Sequence, residues 1–335
     1  MIEKTDILVV GYGNIGKGVV GAIERNPDTN LVGIISRDPF RVRNNFRSST
    51  IPIYSQQFIL DVSGVALADV AILCGGSKKD LPVQGPAFAR LYNTVDSFDT
   101  HSEIPKYVAN MQEVAKKYGH TSIVCAGWDP GTFSVNRILA DAFIPGCVPK
   151  GFYGLGPKGG LSMGHSDAVR SIEGVLDARQ YTHAIPEAMA RVRGGENPML
   201  KPEEMHSREV YVVAKENADK KKIENKIRNM PAYFANHDVT INFISQEELN
   251  EIHQNMPHDG TVIAVGKTTN GNKATIEYSN TWESNPEATA NVLVACARAA
   301  KKLNLEKRIG AFTMANLAPS DLSPHSQDYL LKNFM

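Results

Sequence analysis

Cysteine is scarce in this chain of 335 residues: four in all, at positions 74, 125, 147 and 296, with no CxxC pair among them. That spacing disfavours a zinc site and offers no disulfide framework, so the thiols are expected to be reduced packing groups. Net charge is missing too, because 36 Lys and Arg balance 36 Asp and Glu. Without an overall field to gather polyanions, nucleic acid and anionic membrane surfaces are poor candidates for the main partner. No apolar run approaches the roughly 18 residues needed to span a bilayer. Met1 to Asp6 lacks the basic and apolar regions of a signal peptide, so a cytoplasmic location is expected. No helical HExxH pair and no serine nucleophile elbow is read, which disfavours a zinc enzyme or a serine hydrolase, and no metal site is expected. What remains is an ordinary globular composition, 42% hydrophobic and 21% charged, long enough for about two domains of roughly 150 residues.

The first forty residues contain an apolar run, Ile7 to Val10, then a glycine turn, a helical stretch to Arg25 and a second apolar run, Leu31 to Ile35. Apolar runs without alternation suit strands buried on both faces of a parallel sheet. Val70 to Cys74, Tyr92 to Asp96 and Ser122 to Ala126 read the same way, with helices at Pro86 to Leu91 and Lys106 to Tyr118 between them. The expected fold is therefore α/β: an N-terminal Rossmann dinucleotide-binding domain, doubly wound, followed by an α+β domain with an open mixed sheet. After Trp128, glycines and prolines break the pattern, and Pro145 to Gly164 reads as loop with one short strand. Strands follow at Arg208 to Ala214, Asp238 to Ile244, Val262 to Thr269 and Lys273 to Tyr278, with a helix at Ala218 to Asn229. A last long helix, Pro286 to Leu303, is capped by the preceding asparagine and is expected to return to the first domain. The domain boundaries read from this pattern are 1–127 with 285–335, and 128–284.

GYGNIG at 11 to 16, directly after the first strand, is the most informative string. Gly11 permits the tight turn, Gly13 lets backbone approach a pyrophosphate, and Gly16 lets helix and strand pack closely, while Tyr12, Asn14 and Ile15 complete the loop. The second strand ends at Ser36 and Arg37, where a guanidinium fork suits a 2′-phosphate and favours NADP over NAD; Asp38 follows and weighs the other way, since a carboxylate repels that phosphate or binds a ribose. Cys74, Gly75, Gly76 and Ser77 end another strand, either beside the cofactor or as an ordinary turn. Asp96, Ser97, Phe98 and Asp99 end the next, and Trp128 and Asp129 the one after. Paired carboxylates can hold an ammonium group, although Asp is also a common loop and cap residue. His165, Ser166 and Asp167 form a local cluster, and His206, Arg208 and His258 are scattered polar groups for which a structural role is as open as a functional one.

At this point the motifs resemble the meso-diaminopimelate dehydrogenase family over nearly the whole chain. The resemblance rests on GYGNIG, SR at 36 to 37, TVDSFDTH at 94 to 101, GWDPGTFSVNR at 127 to 137, LSMGHSDA at 161 to 168, MPHDG at 256 to 260 and SNPEATA at 284 to 290. It implies reversible NADP-dependent oxidative deamination of meso-2,6-diaminopimelate at its D centre, giving L-2-amino-6-oxopimelate, ammonia and NADPH, in a homodimer. By motif, Asp99 and Asp129 match the carboxylates near the reacting amino group, with Trp128 beside them. Met163 and Gly164 match the backbone that holds the D-carboxylate, and Thr182, Arg208, His258 and Asn285 match residues around the distal L centre. The chain departs from the family at Asp38, where a second arginine is usual, at Tyr153, where an active-site tryptophan is common, at Met163, where glutamine is common, and in an enlarged loop from Gly156 to Gly160. The alternatives are another NADP-dependent amino acid or semialdehyde reductase and a non-catalytic NADP-binding regulator; neither needs both acidic clusters and the distal polar set.

Overall fold

A computed structural model describes residues 4–46, 50–56, 68–231 and 233–335. The apolar runs assemble into one sheet of β1 (Thr5–Val10), β2 (Thr29–Ser36), β3 (Ile53–Ser55), β4 (Val70–Leu73), β5 (Asn93–Asp96), β6 (Thr121–Ile123) and, late in the chain, β14 (Gly310–Phe312). Their order is β14-β6-β5-β4-β1-β2-β3, and every neighbouring pair is parallel. Because the order reverses at β1 and β4, the crevice beyond the carboxyl ends of those strands is the place where such sheets bind ligands.

Why β1 is apolar throughout is visible in its packing. Ile7 and Val9 point into a core formed with the helices Asn14–Arg25 and Asn285–Leu305, whereas Leu8 and Val10 point into a second core with Phe88 and Met111 from the helices Leu81–Ala89 and Ile104–Tyr118. Each such side chain, taken fully out of water, contributes roughly 1.5–3 kcal/mol. Late chain is clamped to early chain by a buried ion pair: the Arg298 guanidinium grips Asp28 and donates to Asn26 Oδ1 at 2.6 Å.

The chain divides into two units, Met1–Val135 with Pro286–Met335, and Asn136–Asn285, so the helix Phe133–Phe143 carries the chain from one to the other. The second unit holds β7 (Lys150–Tyr153), β8 (Gly160–Leu161), β9 (Val175–Ala184), β10 (His206–Ala214), β11 (Val239–Phe243), β12 (His258–Lys267) and β13 (Lys273–Trp282). Four of them form an open mixed sheet, β11-β10-β9-β8, in which only β10 and β11 run parallel. Val169, Ile223, Ile227 and Phe234 cover one face of it. β13, β12 and β7 make a separate antiparallel sheet.

Three of the differences from the sequence reading have a plain physical reason. The helix expected at Pro86 starts at Leu81, because Pro82 sits in the first turn, where its missing N–H leaves no bond unmade, and Pro86 lies inside the helix. The stretch from Pro145 to Gly164 contains two strands rather than one, the second only two residues long and too short to show a period. β9 was not legible at all, and it is the strand that pairs with both β8 and β10.

Candidate active site

In the first unit, the three glycines of the turn after β1 each answer a different need. Gly11 has φ +96°, a backbone region that side chains disfavour. A Cβ at Gly16 would stand 2.0 Å from the Gly11 carbonyl oxygen, so only glycine lets the helix start there. At Gly13 nothing lies within 4 Å of the place a Cβ would occupy, and no side chain caps the helix Asn14–Arg25. An open, uncapped helix start directly after a parallel strand is a phosphate cradle. These residues fit a dinucleotide.

At the tip of β2, Asp38 is the N-cap of the helix Pro39–Asn45, its Oδ1 accepting the Arg41 amide at 2.9 Å. Ser36 Oγ closes the same turn by accepting the Asp38 amide at 3.1 Å. Arg37 projects with its side chain 75% exposed, and its Nη1 meets Asp80 Oδ1 at 3.3 Å. Asp80 also accepts the Gly76 amide at 2.9 Å, which ties Arg37 to the loop of Cys74 to Ser77. Burial pushes the Cys74 thiol up to about 12, so it is inert at neutral pH.

Ser77 joins two of the expected clusters. Its hydroxyl accepts the amides of Asp99 at 2.9 Å and Thr100 at 3.2 Å, holding the loop after β5 against the loop after β4. Within that loop, the side chains of Asp96 and Phe98 face inward. Asp96 is 0% exposed; its carboxylate accepts the amides of Phe98 and Cys125 and the Tyr107 hydroxyl, and burial raises its pKa to about 6. Phe98, 2% exposed, stacks on the Tyr107 ring at 4.1 Å. Asp99 alone of the two acids is exposed, with Ser97 half-buried between them. Beyond β6, Trp128 is buried against Phe133, and Asp129, half-buried, accepts from Ser134 Oγ at 3.4 Å.

In the second unit the distal polar set comes together through strand register. Thr182 of β9 lies opposite Arg208 of β10, and Arg208 Nη1 donates to Thr182 Oγ1 at 2.5 Å. Nη2 donates to His237 Nε2 at 3.3 Å. The Nε–H of Arg208 is buried with no partner, and among the described residues no carboxylate pairs with this guanidinium. Burial pulls its pKa down to about 10, which leaves it a cation at neutral pH. A buried cation without a counter-ion is costly to keep, so this arrangement suits a carboxylate brought by a ligand.

Around it, Gly160 pairs with Thr182 and a Cβ there would stand 3.2 Å from His258 Nδ1. Asn285 is buried, and its side-chain amide donates to the Leu161 carbonyl at 2.9 Å, fixing the chain just before Ser162. Met163 and Gly164 are not in a loop but form the first turn of the helix Met163–Arg170, where the amides have no intrahelical acceptor and carry partial positive charge. Tyr153 stacks on His206 at 5.0 Å, and its hydroxyl accepts from Arg137. The enlarged loop is pinned by Asp259, which accepts the amides of Leu155 at 2.9 Å and Gly156 at 3.0 Å.

The string Gly160 to Gly164 does have GxSxG spacing, contrary to the sequence reading, but Ser162 is no nucleophile elbow. Its φ of −100° is ordinary extended backbone and its hydroxyl is the helix N-cap, 2.7 Å from His165 Nδ1. Burial, with Arg208 and His237 nearby, pushes His165 down to about 3. Ser166 is buried and bonded to the Ser162 carbonyl, while Asp167 pairs with Arg170, so the three form no triad.

Comparison with known proteins decides among the dehydrogenase readings. The meso-diaminopimelate D-dehydrogenase of Ureibacillus thermosphaericus is 45% identical over 335 residues, covering all of both chains. The chain belongs to the diaminopimelate dehydrogenase family. Residues 127–284 match the diaminopimelic acid dehydrogenase C-terminal domain. The solved structure of C. glutamicum DAP dehydrogenase in complex with DAP has a TM-score of 0.92 at 38% identity, covering 100% of each chain. An engineered D-amino acid dehydrogenase bound to NADP+ has a TM-score of 0.88 at 37% identity, covering 99% of this chain and 100% of the other.

Within this diaminopimelate dehydrogenase fold, four contributors escaped the sequence reading: Asp80, Ser162, His237 and Asp259. Each acts on another site residue through a contact that only the folded chain makes. Among the described residues no group of three or more His, Cys, Asp or Glu is placed to hold a metal ion, and no helix is long and apolar enough to cross a membrane.

Proposed function

We propose that this chain works as its relatives are named to work. It is an NADP-dependent oxidoreductase that reversibly deaminates meso-2,6-diaminopimelate at the D centre, giving L-2-amino-6-oxopimelate, ammonia and NADPH. The observation that carries the reading is the buried, carboxylate-free guanidinium of Arg208, because a glycine turn would serve any dinucleotide enzyme, whereas a cation of this kind calls for a substrate with a second acidic end.

Bound NADP+ supplies the hydride acceptor, and the protein supplies orientation and electrostatics. Asp99 and Asp129 attract the ammonium of the reacting centre, and one of them, or water held by it, takes the proton released as the substrate C–N bond becomes an imine. Water then adds to the imine carbon and ammonia leaves. Met163 and Gly164 hold the D-carboxylate by their amides. At the distal end Arg208 and Thr182 take the carboxylate, with His258 and Asn285 completing the L centre. The same reading makes the protein a cytoplasmic homodimer acting on a small molecule.

Arg37 is assigned to the 2′-phosphate of the cofactor. Arg37→Ala is expected to weaken NADP+ binding by roughly 1.5–3 kcal/mol, the loss of one charge-assisted contact, and to leave NAD+ binding nearly unchanged. Fluorescence titration with both cofactors checks this, and equal loss for the two would remove Arg37 from the phosphate. For the reaction itself, meso-diaminopimelate and NADP+ should yield NADPH and ammonia in equal amounts; NADPH formation without ammonia would reject deamination.

A further inference from the structure

We infer that His237 is the positioning residue that aims Arg208, acting on substrate affinity without touching the substrate. This rests on the reading of Arg208 as the anchor of the distal carboxylate. Parallel pairing of β10 with β11 brings the two residues together: the Arg208 amide donates to the Asp238 carbonyl at 2.8 Å, and Arg208 lies opposite Val239. Asn236, at φ +71°, turns the chain just ahead of His237.

The partners fix the tautomer. A carbonyl only accepts, so His237 Nδ1, 3.3 Å from the Ala235 oxygen, must carry the hydrogen; a guanidinium only donates, so Nε2 must accept from Arg208 Nη2. His237 is therefore neutral when it does this work, and burial together with Arg208 lowers its pKa in keeping with that. With Nη1 held by Thr182 and Nη2 by His237, both terminal nitrogens of the planar fork are tethered, each keeping a second N–H, and the buried Nε–H has no partner. A long side chain loses several rotamers when it is fixed in this way; having that entropy already lost before the substrate arrives favours binding. Because the tether is the same in the ground state and the transition state, its loss belongs in KM rather than kcat.

The test is steady-state kinetics at saturating NADP+ with His237→Leu, His237→Gln, Arg208→Met and the double variant His237→Leu with Arg208→Met. His237→Leu should raise the KM for meso-diaminopimelate about fivefold, the scale of one lost hydrogen bond, with kcat and NADP+ affinity unchanged. His237→Gln keeps an acceptor and should recover most of the loss. In the Arg208→Met background His237→Leu should add nothing, since its effect passes through the arginine. Unchanged KM in His237→Leu, alongside a raised KM in Arg208→Met, would overturn the inference and leave the Arg208 assignment standing. Additive effects in the double variant would also overturn it, by showing direct contact with substrate. Unchanged KM in Arg208→Met would reject the Arg208 assignment first. If His237→Leu does not fold by circular dichroism, His237→Asn, whose acceptor falls short of Arg208, takes its place in the comparison.

Discussion

Asp129→Asn is expected to lower kcat for meso-diaminopimelate by about a hundredfold or more, with a much smaller change in KM. The residue lies in the segment Trp128–Thr132 that follows β6 on the carboxyl side of the parallel sheet, where the cofactor cradle also stands, and it is half-buried. On the proposed function its charge faces an ammonium that loses a proton as the hydride departs, so the interaction changes most on the way to the transition state and its loss should appear in turnover. Asparagine is isosteric and keeps the oxygen that accepts from Ser134, so folding should survive. Steady-state rates on the folded variant decide the matter; normal turnover would remove Asp129 from the chemistry.

Arg208→Met should do the reverse, raising KM for meso-diaminopimelate by roughly tenfold to 150-fold, the equivalent of one charged contact, while kcat falls little. NADP+ binding should be unaffected. Methionine fills much of the same volume without charge, and the Arg208 site already lacks an internal counter-ion that would be left stranded. A substrate affinity that survives this change would mean that the distal carboxylate is held elsewhere.

How much of this was readable beforehand depended on where each residue gets its partners. β1 was legible because both its faces are buried, so Ile7 to Val10 carries no polar interruption. The glycine turn was legible because three glycines fall within six residues directly after an apolar run: Gly11 for its backbone angle, Gly16 for close packing, and Gly13 with open space at the helix start. β9 was not, since Asp177 and Arg179 form an ion pair along it and Gln180 and Thr182 are buried polar groups; a strand built to carry a site loses the apolar alternation that announces a strand. The inward turn of the Asp96 side chain was not legible for a related reason. An acid at the end of a parallel strand has the same local sequence whether it faces a ligand or the interior, and its partners at Tyr107 and Cys125 lie 11 and 29 residues away. Asp80 and His237 had no local signal at all, because each earns its role from a contact with an arginine 43 or 29 residues distant.

The central claim, a site that reads both ends of one substrate and reacts at only one configuration, is tested most directly by comparing stereoisomers. Initial rates of NADP+ reduction should be measured with meso- and L,L-diaminopimelate at equal concentration. The meso isomer should react while the L,L isomer is turned over far more slowly, because only the former offers a D centre for oxidation together with an L centre for Arg208 and its neighbours. Equal rates on the two isomers would contradict the account.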